Sequence, residues 1–244
     1  MPCEQKPDRV DPATGRARAG SQKQLQTYVN YKQDDLSQKV LERLNPPPGP
    51  SAKLRWVSPL KEEHFNEYRD AEFLEKLGLS DHSIALKEFW PDRGPCWDAL
   101  AQVTGCSPEG IVLVEAKSHV SELGSSCDAR SAASRAKIEA SLACTKRRLG
   151  VNTSKDWMNN YYQSANRYAH LFFLRDLGVH AWLVNVYFLD DCSIDAPATE
   201  AEWRVALEEV KERMGLSGKS VPFASELFLE AESTYQGDVP REFK

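Results

Sequence analysis

The segment Ile111-Val112-Leu113-Val114 is apolar without a break, and three of its four residues are β-branched. That pattern belongs to a strand buried on both faces. A second such run, Ala181 to Leu189 within Val179–Leu189, is too apolar for a strand with one face in water. Two doubly buried strands need helices on each side of the sheet, which makes an α/β architecture the expected class. The first run ends in Glu115-Ala116-Lys117. Side chains alternate along a strand, so Glu115 and Lys117 point to the same face. A buried strand does not end in two charges unless they are paired or bind something.

A length of 244 residues suits one large domain, or one domain with an appendage. Residues 1–20 read as a mobile tail. Residues 21–44 read as a helix with an incomplete apolar stripe, stopped by Asn45-Pro46-Pro47-Pro48-Gly49-Pro50. Residues 1–50 are therefore expected to form a tail with an N-terminal helical extension, and 51–244 the main domain. In that domain Pro59–Leu77 reads as a helix capped by Gly78. Strands are expected at 84–90, 97–103 and 111–114, helices at 131–149 and 155–177, and a strand at 179–189. A helix from Thr199 to Met214 starts in a capping box with Glu202, and 225–230 reads as an edge strand. Three strands followed by a crossover helix and a fourth strand predict a mixed central sheet flanked by helices.

The net charge of −5 does not announce a nucleic-acid binder, although a basic groove can sit on an acidic protein. No apolar run approaches the roughly 20 residues of a membrane helix, so no membrane partner is expected. The start of the chain carries no apolar secretory core, and the cytoplasm is the expected location. The six cysteines at 3, 96, 106, 127, 144 and 192 have no metal-site spacing and are expected to be free thiols.

Asp98 precedes Glu115 by 17 residues, behind the turn Pro91-Asp92-Arg93-Gly94-Pro95. Hairpin pairing would set it beside Glu115, so two carboxylates would converge on one ammonium. Paired carboxylates can hold Mg²⁺ or Mn²⁺, which stabilise a transferring phosphoryl group and activate water. A neighbouring lysine can stabilise the charge that develops. Leu113-Val114-Glu115-Ala116-Lys117 with Asp98 upstream resembles the PD-(D/E)XK, or restriction-endonuclease-like, superfamily. The resemblance covers about residues 60–190, with Trp97 where a proline often precedes the aspartate. It implies a core of helix, three strands, helix and strand. It also implies Mg²⁺- or Mn²⁺-dependent nuclease activity, with DNA the expected substrate before RNA.

On that resemblance Asp98, Glu115 and Lys117 are the expected catalytic residues, with Asp98 and Glu115 as metal ligands. Many members carry a glutamate on the first core helix; Glu67 is the choice here, with Glu72 as the other candidate. Some carry a glutamine on the helix after the E-x-K strand, and Gln163 is placed to position the lysine or a phosphate. Gln163, Asn166, Arg167 and His170 fall at i, i+3, i+4 and i+7, forming one polar stripe that is either a solvated face or the wall of a groove. Arg93, Arg130, Arg135, Lys137 and Arg167 are expected phosphate contacts. His119 reads as a polar residue leaving the strand. Two other readings stand beside this one. The charged trio could be a structural ion pair at a sheet end, or the chain could be an inactive member that binds nucleic acid or protein.

Overall fold

The computed structural model describes residues 9–233; the expectations for residues 1–8, Cys3 among them, lie outside the described residues. Five strands form one sheet in the order β1 (Lys53–Ser58), β2 (Ala99–Thr104), β3 (Gly110–Lys117), β4 (Ala181–Leu189) and β5 (Ala224–Glu230). The pairs β1–β2 and β2–β3 are antiparallel, while β3–β4 and β4–β5 are parallel. The protein is thus an α/β fold with a mixed sheet. Every residue of β3 is buried, as its unbroken apolar run requires. Gly110 opens β3 where the chains come very close: a Cβ there would meet the His180 carbonyl oxygen at 2.4 Å.

Helices cover both faces. On one lie α1 (Gly20–Tyr31) and α2 (Gln33–Leu41). Their Leu25, Tyr28, Val29, Leu36 and Val40 pack with the even-numbered residues of β3 and β4. The segment read as an N-terminal extension therefore supplies one whole layer. It is two helices rather than one, broken at Lys32. Residues 9–19, expected to belong to a mobile tail, are folded against the rest: Val10 and Ala17 bridge and are both buried.

On the other face lie α3 (Asp70–Lys76), α4 (Ser83–Phe89), α5 (Ala132–Arg148), α6 (Tyr162–Asp176) and α7 (Glu200–Met214). The core beneath them includes Leu100, Ile111, Leu113 and Leu183 from the sheet, with Trp157 and Trp203 from the covering layer. Thr199 and Glu202 form the expected capping box at α7.

Four elements differ from expectation. Residues 84–90 form α4 rather than a strand. A strand would align Leu86, Glu88 and Trp90 on one face and bury the glutamate. A helix instead gathers Leu86, Phe89 and Trp90 at i, i+3 and i+4 and leaves Ile84 outside, 74% exposed. The missing strand is β1, where Leu54 and Trp56 alternate with exposed Lys53 and Arg55. The helix expected over 59–77 is confined to 70–76, and the one expected over 155–177 begins only at Tyr162.

The register places the charged residues. Ala99 pairs with Val114, so Asp98, one step outside the ladder, stands opposite Glu115. Both lie on the α3–α7 side, where β3 gives way to loop and α6 crosses.

Candidate active site

The centre of the site is Glu115, whose side chain is 4% exposed. One oxygen, Oε1, accepts from Lys117 Nζ at 3.0 Å. The other, Oε2, accepts from Arg167 Nε at 2.6 Å and forms an ion pair with its Nη2, also at 2.6 Å. Lys117 and Arg167 are themselves buried. Burial opposes the charge on Glu115, but Arg167 and Lys117 outweigh it and hold the carboxyl below its ordinary range.

Each cation is held by further groups. Lys117 Nζ donates to Gln163 Oε1 at 2.7 Å. Gln163 is placed by the start of α6, where its own N–H donates to Ser125 Oγ at 2.8 Å. Arg167 donates to the Cys96 carbonyl at 2.7 Å and to Asn166 Oδ1 at 2.9 Å. Its guanidinium lies 4.8 Å from the ring centre of Trp97. The polar stripe of α6 therefore faces inward: Asn166, Arg167 and His170 are all buried.

Asp98 completes the group from β2. Its Oδ2 accepts the Ala116 N–H at 2.7 Å. Burial, with the negative charges of Glu115 and Glu67, raises its pKa well above the usual carboxylate value. Glu67 is raised to about 7, first by burial and then by Glu115, against a hydrogen bond from Gln22 and the charges of Arg167 and Arg69. Of the two glutamates weighed, Glu67 is the one whose charge meets those of Asp98 and Glu115. It lies between the turn at Lys61–Glu63 and α3, not on a helix. Three carboxyls thus share a site in which only Glu115 is fully compensated.

Beside this group opens a cleft of about 1100 Å³, lined by Asp98, Gln163 and Arg167 together with Arg69, Arg93 and Arg130. Arg93 and Arg130, two of the residues expected to contact phosphate, are part of that lining. Arg135 and Lys137 are not part of that lining. Arg135 sits 3.9 Å from Glu139, and Lys137 donates to the Lys87 carbonyl at 2.8 Å. On a helix, neighbouring positions face different ways, and it is Ser134 and Ile138 of α5 that turn to the cleft. His119 leaves β3 and caps the turn at Val120–Leu123, its Nδ1 accepting from Ser121 N at 2.9 Å.

Sequence reasoning missed Gln22 and Arg69. Gln22 comes from the first turn of α1, on the layer read as an extension, and Arg69 from the loop before α3. Neither belongs to a motif. Cys106, Cys127, Cys144 and Cys192 are free thiols as expected, but Cys96 is disulfide-bonded. Among the described residues, no group of three or more His, Cys, Asp or Glu side chains is disposed to hold a metal ion, and no helix is long and apolar enough to cross a membrane.

His170 forms the floor behind Arg167. Its ring packs against Trp90 at 4.8 Å and Phe89 at 5.4 Å, and Nδ1 lies 2.8 Å from the Asn166 carbonyl. Burial, then the charge of Arg167, lowers its pKa to about 3. The unfolded chain takes up this proton near pH 6.5, before the folded one does. Stability from His170 is thus complete above pH 6.5 and falls as pH drops towards 3. Between pH 7 and 5 the wild type should lose about 2 kcal/mol more than His170→Gln, read from urea unfolding at the two pH values. Equal losses in the two proteins would show that the imidazole is not held neutral.

No family model, curated protein or solved structure matches this chain.

Proposed function

We propose that the protein is a metal-dependent nuclease with a restriction-endonuclease-like core, hydrolysing phosphodiester bonds in DNA in preference to RNA. The observation that carries this reading is the convergence of Asp98, Glu115, Lys117 and Gln163 beside an arginine-lined cleft, which Asp98 and Gln163 reach. The four come from the start of β2, from β3 and from α6, the chain order that the E-x-K resemblance implies.

Carboxylate oxygens are the ligands that Mg²⁺ and Mn²⁺ take. Burial and mutual repulsion disfavour the charged forms of Asp98 and Glu67, a penalty that a divalent cation between them would relieve; Glu115 joins them only where Arg167 yields an oxygen. Such an ion would supply polarisation of the phosphoryl oxygens and an activated water.

The chain's own part is positional. Glu115 and Gln163 hold the Lys117 ammonium from two sides, which leaves its third N–H for a water or a phosphate oxygen. That ammonium stabilises the negative charge that grows on the phosphate as the bond breaks. Arg69, Arg93 and Arg130 would grip flanking phosphates, contacts that position a strand without reading its sequence.

The deciding experiment incubates the full chain with end-labelled single- and double-stranded DNA and RNA in Mg²⁺, in Mn²⁺ and in chelator. Metal-dependent cleavage of DNA is the expected outcome. If no nucleic acid is cut under either metal, the enzyme reading fails. Retained binding would then favour the alternative of a nucleic-acid-binding module, and Arg167 on Glu115 is the observation that favours it.

A further inference from the structure

We infer that Arg167 is the resident counter-ion of Glu115 and must release that carboxylate when a divalent cation binds, so that guanidinium and metal compete for the same oxygen. This rests on the metal-dependent reading above.

The geometry of Glu115 carries the inference. Both of its oxygens are taken by cations: Oε1 by Lys117 at 3.0 Å, Oε2 by two nitrogens of Arg167 at 2.6 Å. All three side chains are almost wholly enclosed, at 4–6% exposure. A divalent ion sits about 2.0–2.6 Å from its oxygen ligands. An ion on Oε2 would stand close to the guanidinium, and two positive charges repel where little solvent screens them. Metal and arginine therefore compete for this oxygen.

Arg167 is built to be displaced without being lost. Its bonds to the Cys96 carbonyl and Asn166 Oδ1 do not involve Glu115, and the Trp97 ring supports the guanidinium plane. The residue already lines the cleft that holds Arg69, Arg93 and Arg130. A phosphate arriving there presents two oxygens to the same fork of donors that Glu115 now fills. The arginine would thus exchange a carboxylate for a phosphate as the metal takes its place, and metal and substrate would load together. Arg167 is a positioning residue in this scheme.

The test is calorimetric titration of Mn²⁺ into the full chain and into Arg167→Gln. The variant should bind Mn²⁺ at least about tenfold tighter while wild type binds more weakly, a difference of about 1.4 kcal/mol. Equal or weaker binding by the variant overturns the competition but leaves the nuclease reading standing if wild type cleaves DNA. If neither protein binds Mn²⁺, both readings fall. Should Arg167→Gln fail to fold by circular dichroism, the wild type decides. Its Arg167 Nε–H, assigned by NMR through loss of the signal in Arg167→Lys, should lose its protection from exchange as Mg²⁺ is added. A signal that stays protected at saturating, bound Mg²⁺ overturns the inference.

Discussion

Replacing Glu115 by alanine should cost about 3–5 kcal/mol of unfolding free energy, the usual effect of removing one partner from a buried ion pair. Two cations depend on it. Arg167 would keep the Cys96 carbonyl and Asn166 Oδ1, and Lys117 would keep Gln163, but both would hold their charge in an enclosed site with no anion in contact. For a chain of this length the loss corresponds to a drop in Tm of roughly 6–20 °C. Glu115→Gln should lose less, since its carbonyl still accepts from one of the two. Chemical and thermal unfolding of the three proteins measure this directly. A loss below about 1 kcal/mol in the alanine variant would mean that desolvation already cancels the attraction within the triad.

Lys117→Ala should behave in the opposite way, keeping the fold and losing the chemistry. Glu115 retains its hydrogen bond and ion pair with Arg167, so no buried charge is stranded. If the proposed activity is right, the turnover rate should fall by about 10²–10⁴, the range for removing a positioned proton-transfer group or a donor to developing charge. Mn²⁺ binding should survive, because the variant removes a cation and no ligand. Single-turnover cleavage and metal titration on the same preparation separate the two effects. Cleavage within about threefold of wild type would show that Lys117 is only Glu115's ion partner.

Much of the scaffold is legible in the chain because it is written in local periodicity. The run at 111–114 has no polar position to offer solvent and that at 181–189 has only Asn185 among its apolar and aromatic residues, and both are buried strands. The Thr199 and Glu202 pair announces the start of α7 within four residues. Where local signals compete, sequence alone misleads. Residues 84–90 carry enough apolar residues for a strand, and only the burial of Leu86, Phe89 and Trp90 on a common side selects a helix. The run Leu54, Arg55, Trp56 does alternate, yet it is short and follows directly on a proline cluster that has the composition of a linker. The extension is part of the fold for a related reason: Leu25, Val29 and Leu36 need a second surface, and the only one wide enough is the far face of the sheet.

The chain by itself determined that Glu115 and Lys117 share a face, because alternation along a strand is a property of the backbone. It also determined that Gln163 and Arg167 share one, because they are four residues apart on a helix. What it could not determine is that these two faces meet. Lys117 reaches Gln163 across 46 residues and Glu115 reaches Arg167 across 52. Those contacts depend on the parallel register of β3 and β4 and on where α6 crosses the sheet. The nearness of Glu67 to Asp98 and Glu115, and the arrival of Gln22 from the far layer, were decided the same way. Distances between segments are set by how the two cores pack, and no short stretch of sequence carries that information.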